Sequence, residues 1–279
     1  MKPQTEQWII AGLLGASVLA LLVFYFLKQA PPEPQRPAAV PEEATPPEEE
    51  GPRYPVEEIT VPESVAGGRL VPLPPLDDSD AYFALELADV FDGGIEDLLV
   101  DEALIEKVVA TVDNLPRQRL AERLRPLDGV EGSFEVEAGS TPDTYRPSAR
   151  NYARYDTLVA MFTAPPPDAI VATYRRFYPL LQEAYVNLGY PEGYFNDRVV
   201  EVIDLLLATP IPAEPPELVR PHVLYEYADE ELEALSSGQK LLLRMGPEHA
   251  EAVKARLAEI RPMLAVDSRE DQAGEDLQP

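Results

Sequence analysis

Three arginines, Arg146, Arg150 and Arg154, recur at i, i+4 and i+8. That spacing aligns side chains on one face of a helix. Tyr155 and Asp156 follow directly. Guanidinium forks suit carboxylates and phosphates and stack on aromatic rings. The pattern is therefore that of a basic face able to bind an anionic ligand or an acidic partner. The competing role is structural: the same arginines can pair with acids such as Asp156, Glu183, Glu201 or Asp204, and Pro147 is placed to leave Arg146 outside the helix. Asp204 sits in the most apolar helical stretch of the chain. A carboxylate there is costly to bury alone. It is either an acid or base of raised pKa, the partner of an arginine, or on a face open to solvent. Lys240 and Arg244, again at i and i+4, are helix-surface charges or an extension of the same basic face. Tyr145, Tyr152, Tyr155, Tyr174, Tyr178, Tyr185, Tyr190 and Tyr194 form a dense aromatic set. Such a set makes either a carbohydrate or peptide platform or a core with satisfied hydroxyls.

No catalytic residue can be assigned from spacing. The chain has no cysteine, which excludes disulfides, thiolate nucleophiles and zinc–sulfur sites. Its two histidines, His222 and His249, lie far apart, and neither a triad nor a metal-ligand pattern surrounds them. No glycine-rich phosphate loop, nucleophile elbow or dinucleotide fingerprint is present, so no metal or cofactor is expected. The formal net charge of −27 repels phosphate backbones and argues against nucleic acid as a partner. The segment 116–198 is the exception, being close to charge balance.

The elements that would hold these residues begin with an anchor. Trp8–Leu27 is an uncharged apolar run bracketed by Lys2 and Lys28, the length a helix needs to cross a bilayer. Trp8 and Tyr25 suit the two interfaces. A cleaved signal peptide is the alternative, but its apolar region would be shorter. The short N-terminal tail and long acidic remainder favour an N-in, C-out, single-pass orientation. Residues 29–76 hold thirteen of the 31 prolines, interleaved with glutamates, and read as an extended, disordered linker. The expected organisation is thus residues 1–28 as anchor, 29–76 as linker, 77–266 as one compact helical domain, and 267–279 as an acidic disordered tail.

Within the domain about eight helices are predicted, giving a mostly α fold. Ser79 is placed to cap one with Phe83, Leu87, Val90 and Phe91 on its apolar face. Asp101 is placed to cap a second with Leu104, Val108, Val112 and Leu115. Pro116 opens a short helix ending near Pro126, and Ser148 opens one running to about Thr163. Asp168 is placed to cap a long helix that Pro179 should kink and Gly189 ends. Val199–Leu207 is apolar almost all round, the mark of a central buried helix. Asp229–Met245 and Pro247–Leu264 form a final pair, with Gly246 between them. Phe134 and Val136, and Val223, Tyr225 and Tyr227, alternate with period two, compatible with a short two-stranded ribbon.

Four stretches carry a family resemblance: Arg146-Pro147-Ser148-Ala149-Arg150-Asn151-Tyr152-Ala153-Arg154-Tyr155-Asp156, Leu188-Gly189-Tyr190-Pro191, Val202–Pro210 and Gly238–Pro247. Together they resemble the bacterial family known as domain of unknown function 3014, over about residues 70–264. The resemblance implies a membrane-anchored protein of Gram-negative bacteria, held in the inner membrane with its domain in the periplasm, and supplies no catalytic residue. The leading expectation is a non-catalytic tethered protein whose domain binds another protein or an envelope component. A module binding a small anionic ligand is the alternative. An enzyme using carboxylates and arginines on an envelope polymer is a third reading.

Overall fold

The computed structural model describes residues 51–56, 72–130 and 132–266. The anchor expectation for Trp8–Leu27 and the acidic tail fall outside the described residues. Among the described residues, no helix is long and apolar enough to cross a membrane.

The described chain is mostly helical. Its α-helices are α1 (Asp80–Val90), α2 (Leu104–Asn114), α3 (Arg150–Ala153), α4 (Asp156–Thr163), α5 (Pro167–Leu188), α6 (Phe195–Leu207), α7 (Glu230–Glu233), α8 (Ser237–Met245) and α9 (Pro247–Leu264). The long α5 packs against α1, α2 and α9, and α6 packs against α2, α8 and α9. Phe177 of α5, Phe195 of α6 and Leu104, Ile105 and Val109 of α2 are fully buried at the centre. Burying side chains of this size removes roughly 1.5–3 kcal/mol each of apolar exposure, which fixes the α2–α5–α6 layer.

Several helix ends follow the local signals. Gly189 ends α5 at φ 119°, and Gly246, at φ 85°, separates α8 from α9, whose first residue is Pro247. Other ends are decided by distant groups. Asp101 does not cap α2. Instead Ala103 adopts φ 53°, and the Asp80 carboxylate of α1 accepts from Ala103 N and Leu104 N, both at 2.7 Å. No α-helix follows Pro116; only a 3-10 turn forms at Glu122–Leu124. The physical reason is that the carbonyls of Leu115 and Arg117 accept from Gly238 N and Ser237 N, at 3.0 and 2.7 Å, and so cap α8 rather than continue their own helix. The stretch from Ser148 to Thr163 is two helices, because Tyr155 N bonds back to Tyr152 O in a tight turn before α4. Asp229–Met245 likewise splits: Asp229 caps α7, and Ser236 and Gln239 form a reciprocal capping box that restarts the chain as α8.

The expected two-stranded ribbon is instead a four-stranded antiparallel sheet in the order β1 (Val136–Ala138), β2 (Thr144–Pro147), β3 (Leu218–Val219) and β4 (Glu226–Tyr227). Val136 and Tyr227 lie on opposite edge strands and do not pair. Phe134, Val223 and Tyr225 lie outside the strands. The inner strands span only 4 and 2 residues, too few to show a period of two.

Candidate binding site

The arginine stripe does not form a continuous helical face. Arg146 belongs to β2 and pairs with Glu217 at 3.3 Å. Arg150 opens the single turn of α3, its side chain 81% exposed, and faces Glu135 at 3.3 Å. Arg154, at the end of α3, donates to Val130 O and Gly132 O at 3.2 and 2.9 Å. Between them the buried Asn151 accepts from Glu135 N and donates to the carbonyls of Glu135 and Ser148. Arg150, Asn151 and Arg154 fasten Val130, Gly132 and Glu135 onto α3. Tyr155 packs in the cluster of Val159, Leu242, Met245 and Ala250. Asp156 faces His249, with Oδ1 to Nε2 at 3.1 Å. Lys240 is buried and pairs with Glu233, while Arg244 is exposed on α8.

Asp204 stands apart from the stripe. It is on α6, whose Glu201 and Asp204 are exposed, so this helix is amphipathic rather than apolar all round. Arg261 of α9 grips both carboxylate oxygens of Asp204. That guanidinium holds the Asp204 carboxyl below its usual pKa, the opposite of what a general acid would need.

Asp204 does, however, line a polar cleft of about 570 Å3 with Asp197, Arg198 and Glu201 of α6, Asp113 of α2, and Tyr185, Tyr190 and Tyr194. Arg53 and Tyr54, from the linker, complete the wall. Asp113 is 2% exposed and accepts from Arg117 Nη2 at 2.8 Å, Arg198 Nε at 3.2 Å and the Tyr190 hydroxyl at 3.2 Å. A buried carboxylate is tolerable only with such a full set of donors. The rings of Tyr185 and Tyr190 stack at 4.6 Å. Burial, then the nearby Asp113 charge, pushes the Tyr185 hydroxyl up, so it stays protonated at ordinary pH. Four carboxylates against two guanidiniums give the cleft walls a negative balance.

The linker enters here as a short peptide that bends at Arg53 and Tyr54. The Asp197 carboxylate accepts from Arg53 N at 3.0 Å and Tyr54 N at 2.8 Å. Asn196, 0% exposed, donates to Tyr54 O at 2.8 Å and to Leu264 O at 3.0 Å, and accepts from the Tyr174 hydroxyl at 3.0 Å. The Tyr54 ring is buried among Val171, Val200, Ile203, Ile260 and Leu264. The Arg53 guanidinium lies over that ring at 4.9 Å from its centroid. Asp204, Tyr185, Tyr190 and Tyr194 of this site belong to the sets that the sequence singles out; Tyr54, Asp113, Asn196, Asp197 and Arg198 do not. The legible signal is Asn196-Asp197-Arg198, a polar triplet in the first turn of an amphipathic helix.

A family profile described as Protein of unknown function (DUF3014) matches residues 104–261. The chain belongs to the DUF3014 family. The matched span holds Asp113, Tyr185, Tyr190, Tyr194 and the whole of α6, while Arg53 and Tyr54 lie N-terminal to it. No curated protein and no solved structure matches the chain, so the family and the geometry together carry the functional reading.

Proposed function

We propose that this DUF3014 member is a non-catalytic, membrane-tethered envelope protein whose helical domain binds a short segment of a partner protein at the α6 cleft. The observation that carries the reading is the seat of Arg53 and Tyr54. Two backbone N–H groups and one carbonyl are held by Asp197 and Asn196, and one aromatic side chain fills a pocket. Peptide-recognition sites work by this division of labour, with main-chain bonds for affinity and pockets for specificity. The negative balance of the cleft favours a basic residue beside the aromatic one and disfavours an anionic ligand. The carboxylates are engaged by donors rather than poised for proton transfer, which supports binding over catalysis. The tether rests on the uncharged run Trp8–Leu27 and the prolines after it, and the family resemblance supports a periplasmic domain. In this reading the chain's own linker is the resident occupant, and a partner segment competes with it.

The test uses the full chain and a fluorescent peptide of residues 50–57. The Tyr54→Ala chain should bind the peptide saturably. The parent should bind it at least about tenfold more weakly, because its own segment holds the seat. Adding Asp197→Ala to Tyr54→Ala should abolish binding. No binding to Tyr54→Ala, or equal binding to both chains, would reduce the seat to a fixing point for the linker and defeat the proposal. Release of the full chain into the aqueous phase by carbonate washing would remove the tether.

A further inference from the structure

The apolar face of α6 borders a different space. Phe195, Val199, Val202, Ile203 and Leu206 turn away from the polar cleft and line a half-open apolar cavity of about 350 Å3. Helices α1, α2, α4, α5 and α9 supply the remaining walls, among them Leu87, Val108, Val112, Phe162 and Ile260. Among the described residues, Thr173 and Tyr174 are the only lining residues that are not pure hydrocarbon, and the Tyr174 hydroxyl already donates to Asn196. Protein interiors are packed nearly as tightly as organic crystals and leave few voids larger than a water molecule. A water needs two to four polar partners, and an engineered apolar cavity of about 150 Å3 stays dry and takes benzene. This cavity is more than twice that size and offers almost no polar partner.

We propose that the domain carries an alkyl-chain site in this cavity, separate from the peptide seat and independent of it. At the filling with which about 150 Å3 takes the six carbons of benzene, 350 Å3 takes about fourteen. The occupant is therefore one saturated chain of roughly ten to fourteen carbons. Phe195, Val171, Val202 and Leu181 of the lining are at most 3% exposed, so the deepest walls lie in the core, and about 350 Å3 has room for one such chain rather than for a folded segment. The chemistry shared by a free fatty acid and a lipid acyl chain is this hydrocarbon tail.

The experiment places the full chain in nanodiscs and adds dodecanoate bearing a terminal CF3 group, or phosphatidylcholine carrying the same labelled acyl chain, with 19F NMR as readout. A protein-bound resonance that saturates at one chain per domain is expected. Unlabelled acids should displace it about three- to fourfold better per added methylene, levelling off near fourteen carbons. A signal from the free acid identifies a soluble amphiphile as the source; a signal from the phospholipid alone identifies a bilayer acyl chain. Val108→Phe and Val199→Phe should remove the resonance. The milder Val199→Leu guards against misfolding as the cause, because an added methylene raises the melting temperature where space exists and lowers it in a filled core. No saturable resonance from either ligand, or a lowered melting temperature for Val199→Leu, overturns the proposal. The peptide assay on Tyr54→Ala is scored separately, so either site can fail alone.

Discussion

Asn196 joins three elements through one side chain, and its removal should be felt in all of them. In Asn196→Ala the carbonyls of Tyr54 and Leu264 lose a donor and the Tyr174 hydroxyl loses its acceptor. A neutral hydrogen bond contributes about 1 kcal/mol net, and a buried group left unsatisfied costs about 1–3 kcal/mol. The three losses therefore sum to about 3 kcal/mol or somewhat more. With a urea slope of about 2 kcal/mol per molar, the unfolding midpoint should fall by about 1.5 M. A local readout separates this from general damage. Arg53–Tyr54 is a trypsin site whose backbone is clamped on both residues, and cleavage there should accelerate before global unfolding does. Tyr54→Ala should release the same bond to trypsin, and the double variant should be less destabilised than the two single effects added, because both act through one contact. A midpoint shift below about 0.5 M, with tryptic cleavage unchanged, would refute the role of Asn196 as the clasp.

Other outcomes follow from the geometry. Gly246→Ala should destabilise more than Gly189→Ala: both hold positive φ, but a Cβ at 246 meets the Tyr152 ring at 2.7 Å while one at 189 meets nothing within 4 Å. Thermal melting should rank them, with about 1 kcal/mol at 189 and at least about 2 kcal/mol at 246. Asp80→Ala removes both donors' partner at the start of α2 and should cost about 1–2 kcal/mol by urea unfolding. Because Arg261 depresses the folded pKa of Asp204, the pair contributes stability above the unfolded aspartate value of about 3.9, which is lost as pH falls through the folded value. Asp204→Asn should flatten that acid limb, and an unchanged limb would contradict the pairing. Arg150→Ala should change stability by less than about 0.5 kcal/mol, since its partner contact is solvent-exposed.

Elements with a strong local signal were legible in the sequence. The long α5 and its end at Gly189, the Gly246-Pro247 junction and the helical character of the domain all follow from periodicity, proline and glycine. These features rest on interactions within a few residues, and the sequence displays such neighbours directly. The family followed from quoted stretches that span α3, α6 and α8, and the profile match over residues 104–261 agrees.

The tertiary structure alone decided which charges meet. Arg146, Arg150 and Arg154 look like one helical stripe in the sequence, yet Glu217, Glu135 and the carbonyls of residues 130 and 132 claim them separately. Asp80 caps α2 from another helix, and Leu115 and Arg117 cap α8 from across the fold. Linker residues Arg53 and Tyr54 read as spacer by composition but find Asp197 and Asn196 more than 140 positions away. A one-dimensional pattern reports which side chains share a face of one element. It carries no information about which donor from a distant element will reach a buried acceptor, because that depends on how the helices pack.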